Sequence, residues 1–266
     1  MKKAGIGAKT YLVFLLVLMY LPIGVVVLFS FNASTARTPT VFTGFSLQWY
    51  EALFDGQRGF GEALKNSLVI AGCSVGLSTV LGTLGALGQV RRTARRRLAA
   101  AAQGVMESLT ILPIMLPEII LGVAFMLLFS ALGLRSGMLT LVLAHTTFCV
   151  PYVYLLVKSR LATMGDDLEN AARDLGASPA QALRTVTLPL TRPAILSGAL
   201  LALAMSLDDF VISFFVSGAG ATTLPLKIYS SVRYGVSSQI NALCVVMLAA
   251  VFLLVGVSQL LLRKKN

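Results

Sequence analysis

The sequence predicts an all-α integral membrane protein with six transmembrane helices and both termini on the cytoplasmic side. Of its 266 residues, 56% are hydrophobic and only 12% are charged, and the mean hydropathy is +0.83. A soluble domain carries roughly 25% charged residues. Six apolar stretches and a one-sided distribution of lysine and arginine complete the prediction.

The six apolar stretches are each long enough to cross a bilayer, which takes about 20 residues in a helix. The first one follows three lysines, as a secretory signal does, but it is longer than a signal core and no clean cleavage site follows it. We therefore expect it to remain as an anchor. The stretches are Tyr11–Phe31, Leu64–Leu87, Val105–Leu132, Met138–Val157, Ala194–Val216 and Ile240–Leu262.

Lysine and arginine are concentrated in the segments that share a side with the N-terminus. Those segments hold 16 of the 22: three before the first span, five in Arg91–Arg97, five between Lys158 and Arg192, and three at the C-terminus. Cytoplasmic loops are the ones enriched in these residues. Both termini are therefore predicted to be cytoplasmic, and Arg91–Arg97 is predicted to face anionic lipid headgroups rather than nucleic acid.

The cytoplasmic loop at 165–193 begins with the pattern of a short helix. Asp166 and Asp167 open this helix, where acidic groups favour the positive end of the helix dipole. Gly176 is expected to end it in the left-handed conformation. An apolar stripe at helical spacing lies between these ends and consists of Leu168, Ala171, Ala172 and Leu175.

A second short helix is predicted to follow at once. Ser178 is the expected N-cap, Pro179 the first helical residue and Gln181 the third, which is a capping-box pattern. Leu188-Pro189 and Arg192-Pro193 are expected to end this helix before the next span. The loop is thus a helix–glycine–helix hairpin, either a capped surface element without a partner or, because its alanines are small, a docking surface.

The spacing within the hairpin favours docking. Ala171-Ala172, then Gly176 four positions later, then Val186-x-Leu188-Pro189 matches the EAA motif of permeases from ATP-binding-cassette (ABC) importers. Asn170 stands where the motif has glutamate, with Glu169 one place earlier. The resemblance implies a coupling helix that docks on an ATPase subunit through Glu169, Asn170, Ala171, Ala172, Arg173, Asp174, Gly176, Leu188 and Pro189.

Other segments resemble the permeases of spermidine/putrescine importers, most closely the second (C-type) subunit. They are Gly44-Phe45-Ser46-Leu47-x-Trp49-Tyr50, Leu116-Pro117-Glu118, Ser206-Leu207-Asp208-Asp209-Phe210 and Leu224-Pro225-Leu226-Lys227-Ile228-Tyr229-Ser230. The resemblance implies a type I ABC importer (MetI-like) permease fold. In this fold residues 1–61 would form an N-terminal transmembrane helix with an extracytoplasmic loop, and residues 62–262 the permease core.

The same resemblance implies the membrane and the partner proteins of the chain. They are a bacterial inner membrane, a second homologous permease, two ABC ATPase subunits and a periplasmic or extracellular polyamine-binding protein. The sequence contains no Gly-x4-Gly-Lys-Ser/Thr phosphate loop, so ATP and magnesium are expected to be used by the ATPase partner. The three cysteines lack metal-ligand spacing, and neither a metal site nor a bound cofactor is predicted.

Three alternatives remain at this point. Importers for opines, aminoethylphosphonate and other small amines share parts of these signatures. The signatures therefore indicate the class of transporter more firmly than its substrate. An ion-coupled secondary transporter would show internal repeats or interrupted helices and would have no use for the hairpin. An integral membrane enzyme would need catalytic residues, but the sequence has a single histidine and no Ser/His/Asp set or HExxH motif.

Carboxylates within the spans are the candidates for a cation pathway. A charge at mid-membrane costs about 2.5–3.5 kcal/mol, so such groups face a cavity or a partner. Glu118, Asp208 and Asp209 therefore either line the pathway for polyamines or serve as helix caps and packing contacts. Adjacent helix positions differ by about 100°, so Asp208 and Asp209 cannot both point into one narrow pathway.

Three further predictions concern individual residues. Tyr229 is a candidate for a cation–π contact with an amine, and an interfacial role fits it equally well. His145 lies in an apolar span, where a hydrogen-bonded core histidine is favoured over a ligand. Pro113 and Pro117 are expected to kink the third span just before Glu118.

Overall fold

The computed structural model describes residues 6–54, 59–90, 97–165 and 167–263, and it is helical throughout apart from turns and one isolated bridge. The basic run at 91–96 and Asp166 lie outside the described residues, so the predicted lipid contact and membrane orientation stay predictions. The helices are α1 (Ile6–Ser30), α2 (Gln48–Phe54), α3 (Phe60–Val90), α4 (Arg97–Met115), α5 (Glu118–Ala131), α6 (Met138–Met164), α7 (Asp167–Asp174), α8 (Pro179–Ala182), α9 (Leu188–Asp208), α10 (Val211–Val216), α11 (Leu224–Val232) and α12 (Ser238–Arg263).

Several of these helices are long and apolar enough to span a membrane. Within the described residues they are Lys9–Ser30, Phe60–Gln89, Met138–Met164 and Pro179–Asp208. The pair Ala101–Met115 and Glu118–Ala131 passes the same test as one bent span, and Ser238–Ala249 is a shorter apolar helix within α12. Each of the six predicted stretches overlaps one of these elements, the fifth continuing past Asp208 into α10, and the all-α membrane fold is confirmed.

The chain forms two compact units. The described residues of 1–62 and 227–266 make up the first unit, and those of 63–226 the second. In the first unit, α1 and α2 both pack on α12. Trp49 donates its indole hydrogen to the Asn32 carbonyl (2.7 Å), and the Tyr50 and Ser30 hydroxyls are 2.7 Å apart, so α2 is held against the end of α1. The division predicted at 61/62 stays a prediction.

In the second unit, α6 is the central helix. Its side chains Val153, Tyr154 and Val157 are fully buried. Two glycines allow neighbouring helices to approach α6 closely, because a Cβ at Gly82 of α3 or Gly198 of α9 would lie within about 3.0 Å of Val153. Such close backbone packing is typical of membrane helices, where no hydrophobic effect drives their association.

The third predicted span is a broken helix rather than a kinked one. α4 ends at Met115, α5 begins at Glu118, and the two are bent by 110°. Pro117 is the N-cap of α5 and has extended geometry (φ −56°, ψ 132°). A residue that precedes proline avoids the helical region, which ends α4 before Pro117. Pro113, in contrast, remains inside α4.

The prediction that Leu188-Pro189 and Arg192-Pro193 end the second hairpin helix was wrong. A π-helical turn, Leu183–Thr187, joins α8 to α9, and the helix runs on from Pro179 to Asp208. Pro189 lies at the start of α9, where its missing N–H costs little. The π turn supplies the register shift, with the Leu188 N–H donating to the Leu183 carbonyl. The hairpin therefore continues directly into a membrane span.

Candidate functional site

The hairpin ends its first helix as the sequence predicts. Gly176 has a φ of +91°, in the left-handed region that glycine favours. The Ala177 N–H donates to the Ala172 carbonyl (3.0 Å), and the Gly176 N–H donates to the Arg173 carbonyl (2.9 Å). These two bonds form a Schellman motif, which satisfies the last carbonyls of α7 and fixes the turn.

The capping box of the second helix is confirmed as well. The Ser178 hydroxyl accepts from the Gln181 N–H (3.3 Å), and the Gln181 side-chain oxygen accepts from the Ser178 N–H (2.8 Å). Pro179 is the first helical residue. The turn between the two helices is therefore short, and its backbone groups are hydrogen-bonded at both ends.

The surface of the first hairpin helix is not covered by this chain. None of the side chains of α7 is buried, and the apolar stripe predicted for it includes Leu168 and Ala171, which are exposed. Leu175 follows the helix and is 91% exposed. The docking of this surface on another protein stays a prediction.

Glu169 has a different role from its neighbours on α7. The Thr187 hydroxyl donates to a Glu169 carboxylate oxygen (3.0 Å), which connects α7 to the π turn that leads into α9. Thr187 is buried and Glu169 is half-buried, whereas Asn170, at the glutamate position of the motif, is exposed. Glu169 thus connects the two hairpin helices within the chain, and Asn170 lies on the open surface.

Replacing Thr187 by valine is expected to loosen the hairpin. The change keeps the shape of the side chain but removes its hydrogen bond to a carboxylate, and such bonds contribute about 1.5–3 kcal/mol. Amide hydrogen exchange in 167–182 should therefore become faster in T187V. T185V is the matched control, because the Thr185 hydroxyl bonds only to the Gln181 carbonyl of its own helix. Equal exchange in the two variants would contradict the link.

Asp209 lies at the break between α9 and α10 and is buried. Its carboxylate accepts from the N–H groups of Ile212 (3.1 Å) and Ser213 (2.8 Å) and from the Ser213 hydroxyl (2.9 Å). These bonds satisfy the first donors of α10, which α9 no longer reaches. Asp209 is therefore a cap for the broken helix, one of the two roles that the sequence left open.

His145 of α6 holds both halves of this broken span. Its Nδ1 lies 2.8 Å from the Ser206 hydroxyl of α9, and its Nε2 lies 3.2 Å from the Ser213 hydroxyl of α10 and 3.3 Å from the Asp209 carboxylate. The ring is 1% exposed. The prediction of a hydrogen-bonded core histidine is confirmed, and its bridging position was not foreseen.

Glu118 and Asp208 have the opposite environment. Both are exposed in this chain although they lie within apolar spans. A carboxylate that faced hydrocarbon would cost about 2.5–3.5 kcal/mol, so we still expect each to face a cavity or a partner. Glu118 begins α5, and Asp208 ends α9 just before α10.

α5, which begins at Glu118, packs on α10, the helix that follows Asp208 after the break. Gly122 of α5 packs against Ile212 and Phe215 of α10, and Gly218, beyond α10, packs against Ser136, beyond α5. The two helices therefore run in the same direction. Along the chain, Glu118 lies four residues before Gly122, and Asp208 lies four residues before Ile212.

Tyr229 lies in the first unit, on α11, and is exposed. Its contact with an amine stays a prediction. Ser206 and Ser213 were not predicted to have a role, although with Asp209 they have the spacing i, i+3, i+7. In a continuous helix that spacing predicts a shared polar face; here the helix breaks at Asp209, and His145 brings the three together.

The fold resembles solved ABC importers. A crystal structure of a bacterial ABC transporter that imports the acidic polysaccharide alginate aligns with a TM-score of 0.73 and 18% identity, covering 96% of this chain and 95% of the other. The MetNI methionine ABC transporter in an inward-facing form aligns with a TM-score of 0.60 and 20% identity, covering 78% and 94%. The protein therefore has the type I (MetI-like) ABC importer permease fold.

Sequence comparison identifies the family. Residues 78–265 match the family of the binding-protein-dependent transport system inner membrane component, and the chain belongs to it. The putrescine transport system permease protein PotI of Escherichia coli is 42% identical over 239 residues, which are 88% of this chain and 82% of that one. The spermidine/putrescine transport system permease protein PotC of Haemophilus influenzae is 39% identical over 248 residues, 93% of each chain.

The protein is thus a multi-pass inner-membrane permease subunit of an ABC importer. It is not an enzyme, because ATP is hydrolysed by a separate subunit in this class, which also works with a substrate-binding protein. Interrupted helices, which the sequence analysis associated with secondary transporters, occur here too and do not separate the two classes. Family membership decides against the secondary transporter.

Proposed function

We propose that this chain is the C-type permease of a polyamine importer and moves putrescine and spermidine across the cytoplasmic membrane. The proposed substrate is supported by the similarity, over 88% and 93% of this chain, to permeases named for putrescine and for spermidine/putrescine. The chain works with a second homologous permease, two ABC ATPases and an extracytoplasmic polyamine-binding protein. It binds no cofactor itself, and ATP with magnesium acts on the ATPases.

The exposed carboxylates suit polyamine chemistry. Putrescine and spermidine are polycations, and carboxylates offer their ammonium groups charge-assisted hydrogen bonds. Asp208 and Glu118 are exposed, whereas the Asp209 carboxylate already contacts Ser213, Ile212 and His145. Asp208 and Glu118 therefore line the pathway and Asp209 supports the helix break beside them. Tyr229, in the other unit, is a separate candidate for a cation–π contact with an ammonium group.

The hairpin couples this pathway to ATP. Closure of the ATPase pair pushes on the exposed surface formed by Ala171, Ala172 and Leu175, beside the turn at Gly176. The push reaches α9 by two routes, through the Glu169–Thr187 hydrogen bond and through the unbroken helix that starts at Pro179. Because α9 ends at Asp208, its movement shifts the population between inward- and outward-facing states at the carboxylates.

Neutralising the pathway carboxylates is expected to reduce transport without disturbing the fold. In the complete complex reconstituted in vesicles, D208N and E118Q should each lower putrescine and spermidine uptake by about 10–100-fold, since a hydrogen bond to a charged group contributes about 1.5–3 kcal/mol. E51Q is the matched control, because Glu51 is exposed on α2, outside the spans. Uptake of radiolabelled amine and the retention of the ATPase subunits are measured together.

Two results would contradict the proposal in different ways. Full uptake by the D208N/E118Q double variant would show that these carboxylates do not contact the substrate. A wild-type complex that transports neither polyamine, but transports another small amine, an opine or an aminophosphonate, would contradict the proposed substrate. It would leave the assignment to the ABC importers unchanged.

A further inference from the structure

A polar cluster joins three helices of the second unit at the end that leads to the hairpin. It consists of Gln89 at the end of α3, Gln103 and Glu107 on α4, and Tyr154 and Lys158 on α6. The apolar core that surrounds Tyr154 makes such a cluster costly unless its members bond one another.

The members of the cluster are closely connected. The Gln89 amide donates to the Gln103 carbonyl (2.8 Å) and lies 3.4 Å from a Glu107 oxygen, while its own oxygen accepts from the Tyr154 hydroxyl (2.9 Å). Lys158 pairs with the other Glu107 oxygen and lies 5.7 Å from the centre of the Tyr154 ring. The two charged side chains are only 28% and 35% exposed.

The Glu107–Lys158 pair connects α4 to α6. Lys158 lies six residues before Met164, where α6 ends and the chain enters the hairpin. Glu107 lies eight residues before Met115, where α4 ends at the bend that presents Glu118. α6 and α4 are thus tied together at a point between the hairpin and the pathway carboxylate.

We propose that the Glu107–Lys158 pair is a mechanical link that carries movement of the hairpin from α6 to α4 and so to the Glu118 bend. Both are positioning residues that do not touch the substrate. Neither belongs to the EAA motif, and the link gives the hairpin a route to Glu118 beside the direct route along α9 to Asp208. Its role in transport rests on the function proposed above.

A charge-swap series in the complete complex tests the link. E107K and K158E each place like charges together, whereas the double swap E107K/K158E restores an ion pair. The Gln89 amide can both donate and accept, so the swapped pair keeps its polar surroundings. E62K and K65E are matched controls, because both residues are exposed near the start of α3, far along the helix from Gln89.

Uptake per ATP hydrolysed is the first readout. We expect each single charge reversal to lower uptake per ATP by about tenfold, a factor within the usual range for coupling between two sites of a protein. The double swap should recover most of this uptake. Loss of folding alone would lower ATPase retention and uptake together. Single reversals with wild-type uptake, or a double swap no better than the singles, would overturn the link.

The second readout does not depend on the substrate. Spin labels at L109C on α4 and S159C on α6, both exposed positions, report the distance between the two helices, with the exposed Cys73 replaced by serine. In the otherwise unchanged complex the distance should be the same with and without trapped ATP, and in E107K it should change with ATP. If the wild-type complex transports no polyamine, the proposed function is wrong. Independently of that result, a distance between the labels that changes with ATP in the wild type would refute the link.

Discussion

Replacing Leu175 by glutamate is expected to abolish ATP-driven uptake while the chain stays folded. Leu175 is 91% exposed and contributes little to the fold of this chain. In the assembled complex it would lie at the centre of the ATPase contact, where loss of an apolar anchor costs about 2 kcal/mol or more and an unpaired buried charge adds to that. The affinity for the ATPase should therefore fall by at least about 30-fold.

The amount of ATPase that co-purifies with the permease measures this effect directly. V41E is the matched control, because Val41 is equally an exposed apolar residue but lies in the loop between α1 and α2. The control should retain both the ATPase and uptake. An L175E complex that keeps a full complement of ATPase would mean that the hairpin docks through another surface.

Replacing Asp209 by alanine is expected to have the largest effect on stability. The change leaves the buried N–H groups of Ile212 and Ser213 without their carboxylate acceptor and removes the contact of that carboxylate with the His145 ring. Each buried donor left without a partner costs about 1–3 kcal/mol. The purified D209A variant should therefore unfold at a clearly lower temperature than the wild type.

The neighbouring residue supplies the control. Asp208 is exposed and lies one position earlier on the same helix, so D208A should unfold at nearly the wild-type temperature although it transports poorly. Thermal unfolding followed by the exposure of buried thiols would compare the two, since Cys149 is buried in α6. Equal loss of stability in D208A and D209A would contradict the different roles assigned to the two residues.

The sequence predicted the hairpin well because its signals are local. Gly176, Ser178 and Gln181 each act through hydrogen bonds to backbone groups at most five residues away, and the structure has all of these contacts. The apolar spans were equally clear, because every backbone group within a bilayer must be satisfied inside its own helix.

Proline positions were harder to interpret. Pro189 and Pro193 read as helix ends, yet a π turn before Pro189 shifts the register and lets the helix continue. Pro117, in contrast, does break its span, while Pro113 does not. Whether a proline ends a helix depends on which partner satisfies the freed carbonyl. Beside these prolines, the Leu190 carbonyl accepts from Arg160 of α6 (3.1 Å), and local sequence does not show that contact.

The choice between Asp208 and Asp209 also depended on tertiary structure. The two residues are adjacent and chemically identical, and the buried one is the one that contacts His145 of α6, a residue distant in the chain. The Glu107–Lys158 pair is 51 residues apart in the chain and was invisible for the same reason.

The central claim is that force made by a separate ATPase enters this chain through the hairpin. The most direct measurement is radiolabelled putrescine uptake into vesicles that hold the complete complex, compared with vesicles that hold the permease chains alone. Uptake should require both the ATPase subunits and ATP, and should be absent from the permease chains alone. Uptake at full rate by this chain without ATPase or nucleotide would contradict the claim.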